Sequence, residues 1–488
     1  MLKFKNIRFS IVLLLIVAIV SCTGDYEDIN TDPNSPTAVP STNIMAYVLN
    51  NFTTNTFNLS AIGAGTLGYS NQVGKIQYPE ESIYEFREGT FNSYFATVYR
   101  NQQNLKQIIT QAEEAGDINM KAAATTYSAY IWLVATDMWR DIPFTDALGA
   151  EEGVLSPAYQ TQEEIYPAIM AMLEEANTLF NQRASDALGS GDILFGGDTE
   201  LWQKFANSLR LRMACRLMDA DATTAKSVIE QITGNPSTYP VIASNDENAY
   251  FYWSGADPYY EPFYTNKEVD ARDDHGVADV MIDQLLAFND PRLPVYAKPA
   301  QSDGEYRGVI VGAELGSFSM SDISRMGERF REDAAGFSPY MNYAEVNFIV
   351  AEAAARGWSV GVTAEDAYQA GITASMEENG IATAEIEAYL AQDEIAYGDD
   401  MDQIYIQKWI SLFKNGQEAW AETRRTDVPL LAAAPDAFYI GHSRPPFRQP
   451  YPTNEYNLNT DNIKPYWDQV EDRLWGKKMF WDVRTGVN

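Results

Sequence analysis

The chain has 488 residues, 45% of them hydrophobic and 12% aromatic, with 68 Asp and Glu against 35 Lys and Arg, for a formal charge of −33. That much apolar side chain can form a large core and excludes a disordered polyampholyte. The negative balance excludes a surface built to hold nucleic acid phosphates or anionic lipid head groups.

Residues 1–21 read as a lipoprotein signal peptide. Lys3, Lys5 and Arg8 form a positive start, and Phe9 to Val20 is an apolar run interrupted only by Ser10. The run suits a signal peptide better than a permanent span. It ends Ile19-Val20-Ser21-Cys22. Cleavage before Cys22 would leave a thiol and an amine to carry acyl chains. Two or more chains hold stably where one does not, at roughly 0.8 kcal/mol per buried methylene. Residues 22–40 then form an anchor and tether, first acidic, then rich in Pro, Asn, Ser and Thr. Residues 41–488 carry no obvious linker and are expected to form one globular domain.

Helical spacing dominates that domain. Asn92–Ala115 and Asn119–Arg140 read as consecutive helices broken at Gly116-Asp117; in the second, Tyr127, Ile131, Val134 and Met138 recur at helical intervals. Thr161–Gln182 and Thr199–Met218, Asn342–Arg356 and Thr363–Asn379, and Asp402–Phe413 and Gln417–Arg424 read as three further pairs. Short glycine turns and alanine-rich faces such as Val350 to Ala355 fit tetratricopeptide-like packing. The expected fold is mainly α: four such pairs as scaffold, with long irregular inserts forming the ligand face. The inserts span roughly Gly63–Gly89, Thr238–Gly276, Asp290–Gly336 and Ala432–Trp475. Long loops over a rigid scaffold are where binding surfaces concentrate.

Signals for catalysis are weak. The two histidines, His275 and His442, are far apart, no His/Cys spacing suits zinc, and phosphate-loop, dinucleotide and nucleophile-elbow patterns are absent. Asp270, Asp273, Asp274 and His275 lack calcium-loop spacing and read as a solvated acidic turn. Cys215 has Leu211 and Met218 as helical neighbours and reads as a buried structural thiol. With 68 acids, carboxylate pairs arise by chance, so they do not argue for a glycosidase. No catalytic residue, metal or cofactor is assigned.

Aromatic residues in the inserts are more informative. Phe251-Tyr252-Trp253 precedes Tyr259, Tyr260, Phe263 and Tyr264, and Tyr69, Tyr78 and Tyr84 lie near Asn71 and Gln72. Two roles compete for each ring: packing a loop onto a helix, and stacking on the apolar face of a sugar. Each stacking contact would contribute about 1 kcal/mol beyond area burial.

The chain resembles the SusD/RagB nutrient-binding outer-membrane lipoproteins of the Bacteroidetes. The resemblance is carried by Asp25-Tyr-Glu-Asp-Ile-Asn-Thr-Asp-Pro-Asn34 after the lipobox, Trp139-Arg-Asp-Ile-Pro-Phe144, Trp202 to Arg212, Asp290-Pro-Arg-Leu293, Tyr343 to Ala353, Gln407-Lys-Trp-Ile410, Trp420-x-Glu-x-Arg-Arg425 and Arg448-Gln-Pro-Tyr-Pro-x-x-Glu455, in that order. It implies a lid on a SusC-like TonB-dependent β-barrel transporter that captures oligosaccharide at the cell surface. Membrane association would be by the lipid anchor only, with no nucleic acid partner. A peptide-binding lid, a surface glycosidase and a protein-binding helical scaffold are the competing readings. Carried to this chain, the family's aromatic arc with amide partners points to Tyr69, Asn71, Gln72, Tyr78, Trp253, Tyr259, Tyr260 and Tyr264. The tryptophans and arginines at helix ends in these blocks, such as Trp409 and Arg424, are expected to lock helix pairs together rather than touch ligand.

Overall fold

A computed structural model describes residues 39–77, 79–87, 89–467 and 473–488. The signal peptide, Cys22 and most of the tether lie outside the described residues, as does Tyr78.

The first described helix is one not expected from the sequence, α1 (Ser41–Thr56). Its Asn and Thr content hides a stripe of Ile44, Met45, Val48, Leu49 and Phe52, all buried. A short helix α2 (Gly63–Tyr69) follows, buried along its whole length. Next come α3 (Asn92–Ala115) and α4 (Ile118–Trp139), separated by Gly116 at φ +76°, a left-handed cap that glycine adopts without strain. In α4 every side chain from Met120 to Trp139 is buried except Lys121, so it runs through the interior. Helix α5 (Gln162–Phe180) opens with Glu164 accepting from the Thr161 amide and hydroxyl, each at 3.0 Å, and α6 (Thr199–Leu217) with Asp198 accepting from the Glu200 and Leu201 amides. The further described helices of six or more residues are α7 (Ala222–Gly234), α8 (Asp279–Ala287), α9 (Tyr343–Ala355), α10 (Ala364–Glu378), α11 (Thr383–Leu390), α12 (Met401–Ser411), α13 (Gly416–Thr426), α14 (Thr453–Leu458) and α15 (Thr460–Trp467).

The four expected pairs are therefore α3–α4, α5–α6, α9–α10 and α12–α13. Helices α1 and α3 through α7 pack in a chain of neighbours, and α9 packs on α10, α12 and α6. Helices α7, α8 and α11 add to this frame. The described strands form three antiparallel two-stranded ribbons: β1 (Val73–Lys75) with β5 (His275–Val277), β2 (Ile142–Pro143) with β3 (Tyr159–Gln160), and β4 (Ala249–Tyr252) with β6 (Phe337–Met341). They pin the inserts to the helices. No described helix is long and apolar enough to cross a membrane.

A buried web of charge joins the halves. Arg212 of α6 binds Glu345 of α9 through two bonds of 2.7 and 2.6 Å. Arg216 binds Glu418 of α13 at 2.9 and 2.6 Å, and Arg425 of α13 binds Glu352 of α9 at 2.8 and 2.7 Å. Lys408 of α12 meets Glu422 at 2.9 Å. Paired forks satisfy the geometry that makes buried ions tolerable, and removing one partner is costly. Cys215 sits inside this web, fully buried, its thiol donating toward Glu352 and accepting from Lys408, each at 3.5 Å.

The acidic turn is not solvated as expected. Asp273 pairs with Arg325 and Arg331, while Asp274 and His275 are buried, 3.1 Å apart. Ion pairing to the neighbouring insert draws Asp273 in, while Asp274 pairs with Arg272 of the same turn at 2.7 Å; of the four residues only Asp270 is exposed.

Candidate functional site

Four of the eight expected ligand contacts are interior residues. Tyr69, at the end of α2, is 1% exposed and packs against Trp420 and Tyr84 with ring centroids 5.1 and 5.7 Å away. Asn71 takes a left-handed φ of +51° and its amide donates to the Gly68 carbonyl, closing the end of α2. Gln72 is fully buried and donates to the Trp409 carbonyl at 3.3 Å. The physical reason is the same for all three: α2 is sunk against α13, close enough that a Cβ on Gly416 would fall 2.5 Å from the Leu67 amide nitrogen. Trp253 is 5% exposed; its indole donates to Ser338 at 3.0 Å and its ring meets Phe251 edge-on. Being next to the β4–β6 ribbon, it is packing rather than surface.

The middle-insert tyrosines differ. Tyr259 is about half exposed, and Tyr260 and Tyr264, partly buried, lie 5.5 Å apart. Tyr252, beside them in sequence, is 63% exposed. Glu261 fixes this loop from below: it accepts from the Tyr264 amide and sits 3.0 Å from Lys414, in the turn between α12 and α13.

A ligand-sized cavity lies elsewhere. An open cleft of about 450 Å³ is lined by Phe86, Arg87, Thr90 and Phe91 from the early insert and by Tyr439, Pro450 to Thr453, Arg473 and Leu474 from the last. Small cavities in the helical interior hold only about 10–30 Å³. Drug- to sugar-sized ligands need several hundred. None of the cleft's described lining residues comes from the middle insert.

The scaffold holds the cleft floor rigidly. Trp139 donates to the Pro450 carbonyl at 3.1 Å, and the Gln449 amide donates to Met138 at 2.8 Å. Trp420 donates to the Pro446 carbonyl. Arg424, stacked 3.6 Å over the Trp420 ring, donates to the carbonyls of Asp137 and Phe447. Tyr451 donates to the Asp141 carbonyl at 2.7 Å, fixing its ring in the wall. Asn92, at the start of α3, ties Thr453 on the opposite side through a reciprocal pair of bonds at 3.1 and 3.2 Å. Trp409 donates to the Ser70 carbonyl, locking α12 to α2.

The wall thus offers the half-exposed Tyr439 ring and the partly buried Phe86 ring, backed by Phe91 and Tyr451 at 3% exposed, with hydroxyls (Thr90, Thr453) and the guanidinium groups of Arg87 and Arg473. Apolar faces next to fixed donors and acceptors can hold a polyhydroxylated ring by stacking and hydrogen bonding. No group of three or more metal-ligating side chains occurs among the described residues.

Sequence reasoning marked both inserts but drew no contact from Tyr439 or Tyr451. The available signal was Arg448-Gln-Pro-Tyr-Pro452, a stiff stretch ending in polar Thr453 and Asn454.

A family described as "Starch-binding associating with outer membrane" matches residues 33–452. No functionally curated protein matches the chain. Among solved structures, a SusD homolog from Bacteroides uniformis is 24% identical with a TM-score of 0.78, over 90% of this chain and 99% of that one. A chitin-binding SusD homolog from Flavobacterium johnsoniae is 23% identical with a TM-score of 0.77, over 91% and 98%. A SusD-like protein from Bacteroides thetaiotaomicron is 21% identical with a TM-score of 0.78, over 92% and 100%. At these identities the structures establish the shared fold, and with the sequence match across most of its length the chain belongs to the SusD-like family.

Proposed function

We propose that this protein is a non-catalytic cell-surface lipoprotein, anchored through Cys22, that captures an oligosaccharide and passes it to a SusC-like TonB-dependent transporter in the outer membrane. The observation that carries the reading is the 450 Å³ cleft, with aromatic walls and fixed polar groups on a scaffold built to keep them still. Family membership supports the outer-membrane setting and a glycan as ligand. A glycosidase needs two carboxyl groups flanking the scissile bond, and the described lining of this cleft contributes none. Two or three stacking contacts would give micromolar to millimolar affinity, suited to a ligand that must be handed on. Tyr259, Tyr260 and Tyr264 form a secondary aromatic surface on which a longer glycan could rest.

Calorimetry of the full chain in detergent against an oligosaccharide panel tests the capture role. Binding without product formation, weakened about tenfold by Tyr439→Ala at unchanged melting temperature, is the expected result. Binding to peptides alone, or turnover of a glycan, would replace the reading. Co-purification with a β-barrel transporter tests the delivery step separately.

A further inference from the structure

In a chain with nearly twice as many acids as bases, most described cations of the scaffold are engaged by carboxylates. The cleft is different. Arg87 and Arg473 are exposed on its lining, and among the described residues neither has a carboxylate partner. Arg473 instead lies 4.8 Å over the ring of Tyr456. Behind the wall, Arg448 is 2% exposed, its Nε has no hydrogen-bond partner, and its guanidinium lies 4.8 Å over the ring of Tyr451, which faces the cleft. Its backbone amide donates to Leu474, another lining residue. Burial pushes the Tyr456 phenol up in pKa, and Arg473 and Arg448 both pull it back, so the two cations act on one point beside the cleft.

Arg87 and Arg473 are solvated and open to a ligand, only Arg448 is buried, and a planar guanidinium fork is shaped for a carboxylate. Three at one cleft, in a protein otherwise rich in acids, leave a local site for negative charge. The protein's distant acids would repel such a ligand, but at physiological ionic strength they are screened beyond roughly 8 Å. The described lining of the cleft carries two guanidinium groups and no carboxylate, so the described charges nearest a bound ligand are positive.

We infer that the cleft selects an acidic oligosaccharide, one bearing uronate carboxylates, with Arg87 and Arg473 as its direct partners and Arg448 reinforcing the field behind Tyr451. The inference rests on the cleft being the capture site.

The test is titration calorimetry of the full chain in detergent with trigalacturonate, maltotriose and chitotriose, repeated with Arg87→Gln and Arg473→Gln. Both arginines are exposed, and melting temperatures within a degree of the parent would verify folding. The expected result is at least tenfold tighter binding of the uronate trimer. Each variant should lose about tenfold for that trimer and little for the neutral ones, as expected for a charge-assisted bond. Equal or tighter binding of a neutral trimer, insensitive to both variants, would overturn the acidic selectivity while leaving capture standing. If no saccharide binds and peptides do, the capture reading and this inference fall together.

Discussion

Replacing Trp253 by alanine separates packing from binding. The indole is 5% exposed, meets Phe251 at a centroid distance of 5.3 Å, and donates to the buried Ser338 hydroxyl at 3.0 Å. Truncation removes the ring's burial, opens a cavity and orphans that hydroxyl, together costing about 3–5 kcal/mol. Unfolding entropies near 2.1 cal/mol/K per residue, over the roughly 450 residues from residue 39 onward, convert this to a fall in melting temperature of about 3–5 °C. Scanning calorimetry of Trp253→Ala beside Trp253→Phe reads it directly. The phenylalanine variant keeps the ring but loses the hydrogen bond, and should fall by about 1 °C. Oligosaccharide affinity at a temperature where both variants are folded should match the parent. An unchanged melting temperature together with lost affinity would refute the packing argument and return Trp253 to the ligand.

Other perturbations probe the scaffold and the anchor. Arg425→Met strips the partner from buried Glu352 and Glu422 and should cost about 3–5 kcal/mol in urea unfolding, with much of the loss recovered in the double variant Arg425→Met/Glu352→Met; a single-variant cost under about 1 kcal/mol would show the web to be dispensable. Burial pushes the Cys215 thiol up to about 12, so it should resist iodoacetamide at pH 8 until the protein is unfolded, and rapid labelling of the folded chain would contradict its placement. Its folded pKa is raised, so above about pH 8.5 the unfolded chain releases a proton that the folded chain keeps. Stability should therefore decline from there as pH rises, and Cys215→Ser should flatten part of that decline. Cys22→Ala should abolish partition into the detergent phase of a Triton X-114 separation; persistent partition would count against the lipid anchor.

The amino-acid sequence by itself determined the scaffold. Tyr127, Ile131, Val134 and Met138 repeat at helical spacing, and Gly116 and Gly357 mark breaks, so the four helix pairs were legible to within a residue or two. Four of the blocks carrying the family resemblance proved to be interhelical locks: Arg212, Glu345, Glu352, Lys408 and Arg425 in the ion web, and Trp409, Trp420 and Arg424 binding backbone carbonyls. Helix α1 escaped because its apolar stripe is diluted by Asn and Thr. Only the tertiary structure decided which aromatics face solvent. Tyr69 and Tyr439 both lie in Tyr-bearing inserts, yet one is sunk between α13 and Tyr84 while the other stands in an open cleft. Helical spacing reports which side of an element is buried. An irregular loop has no such period, so the exposure of its rings depends on contacts hundreds of residues away, such as Trp139 with Pro450.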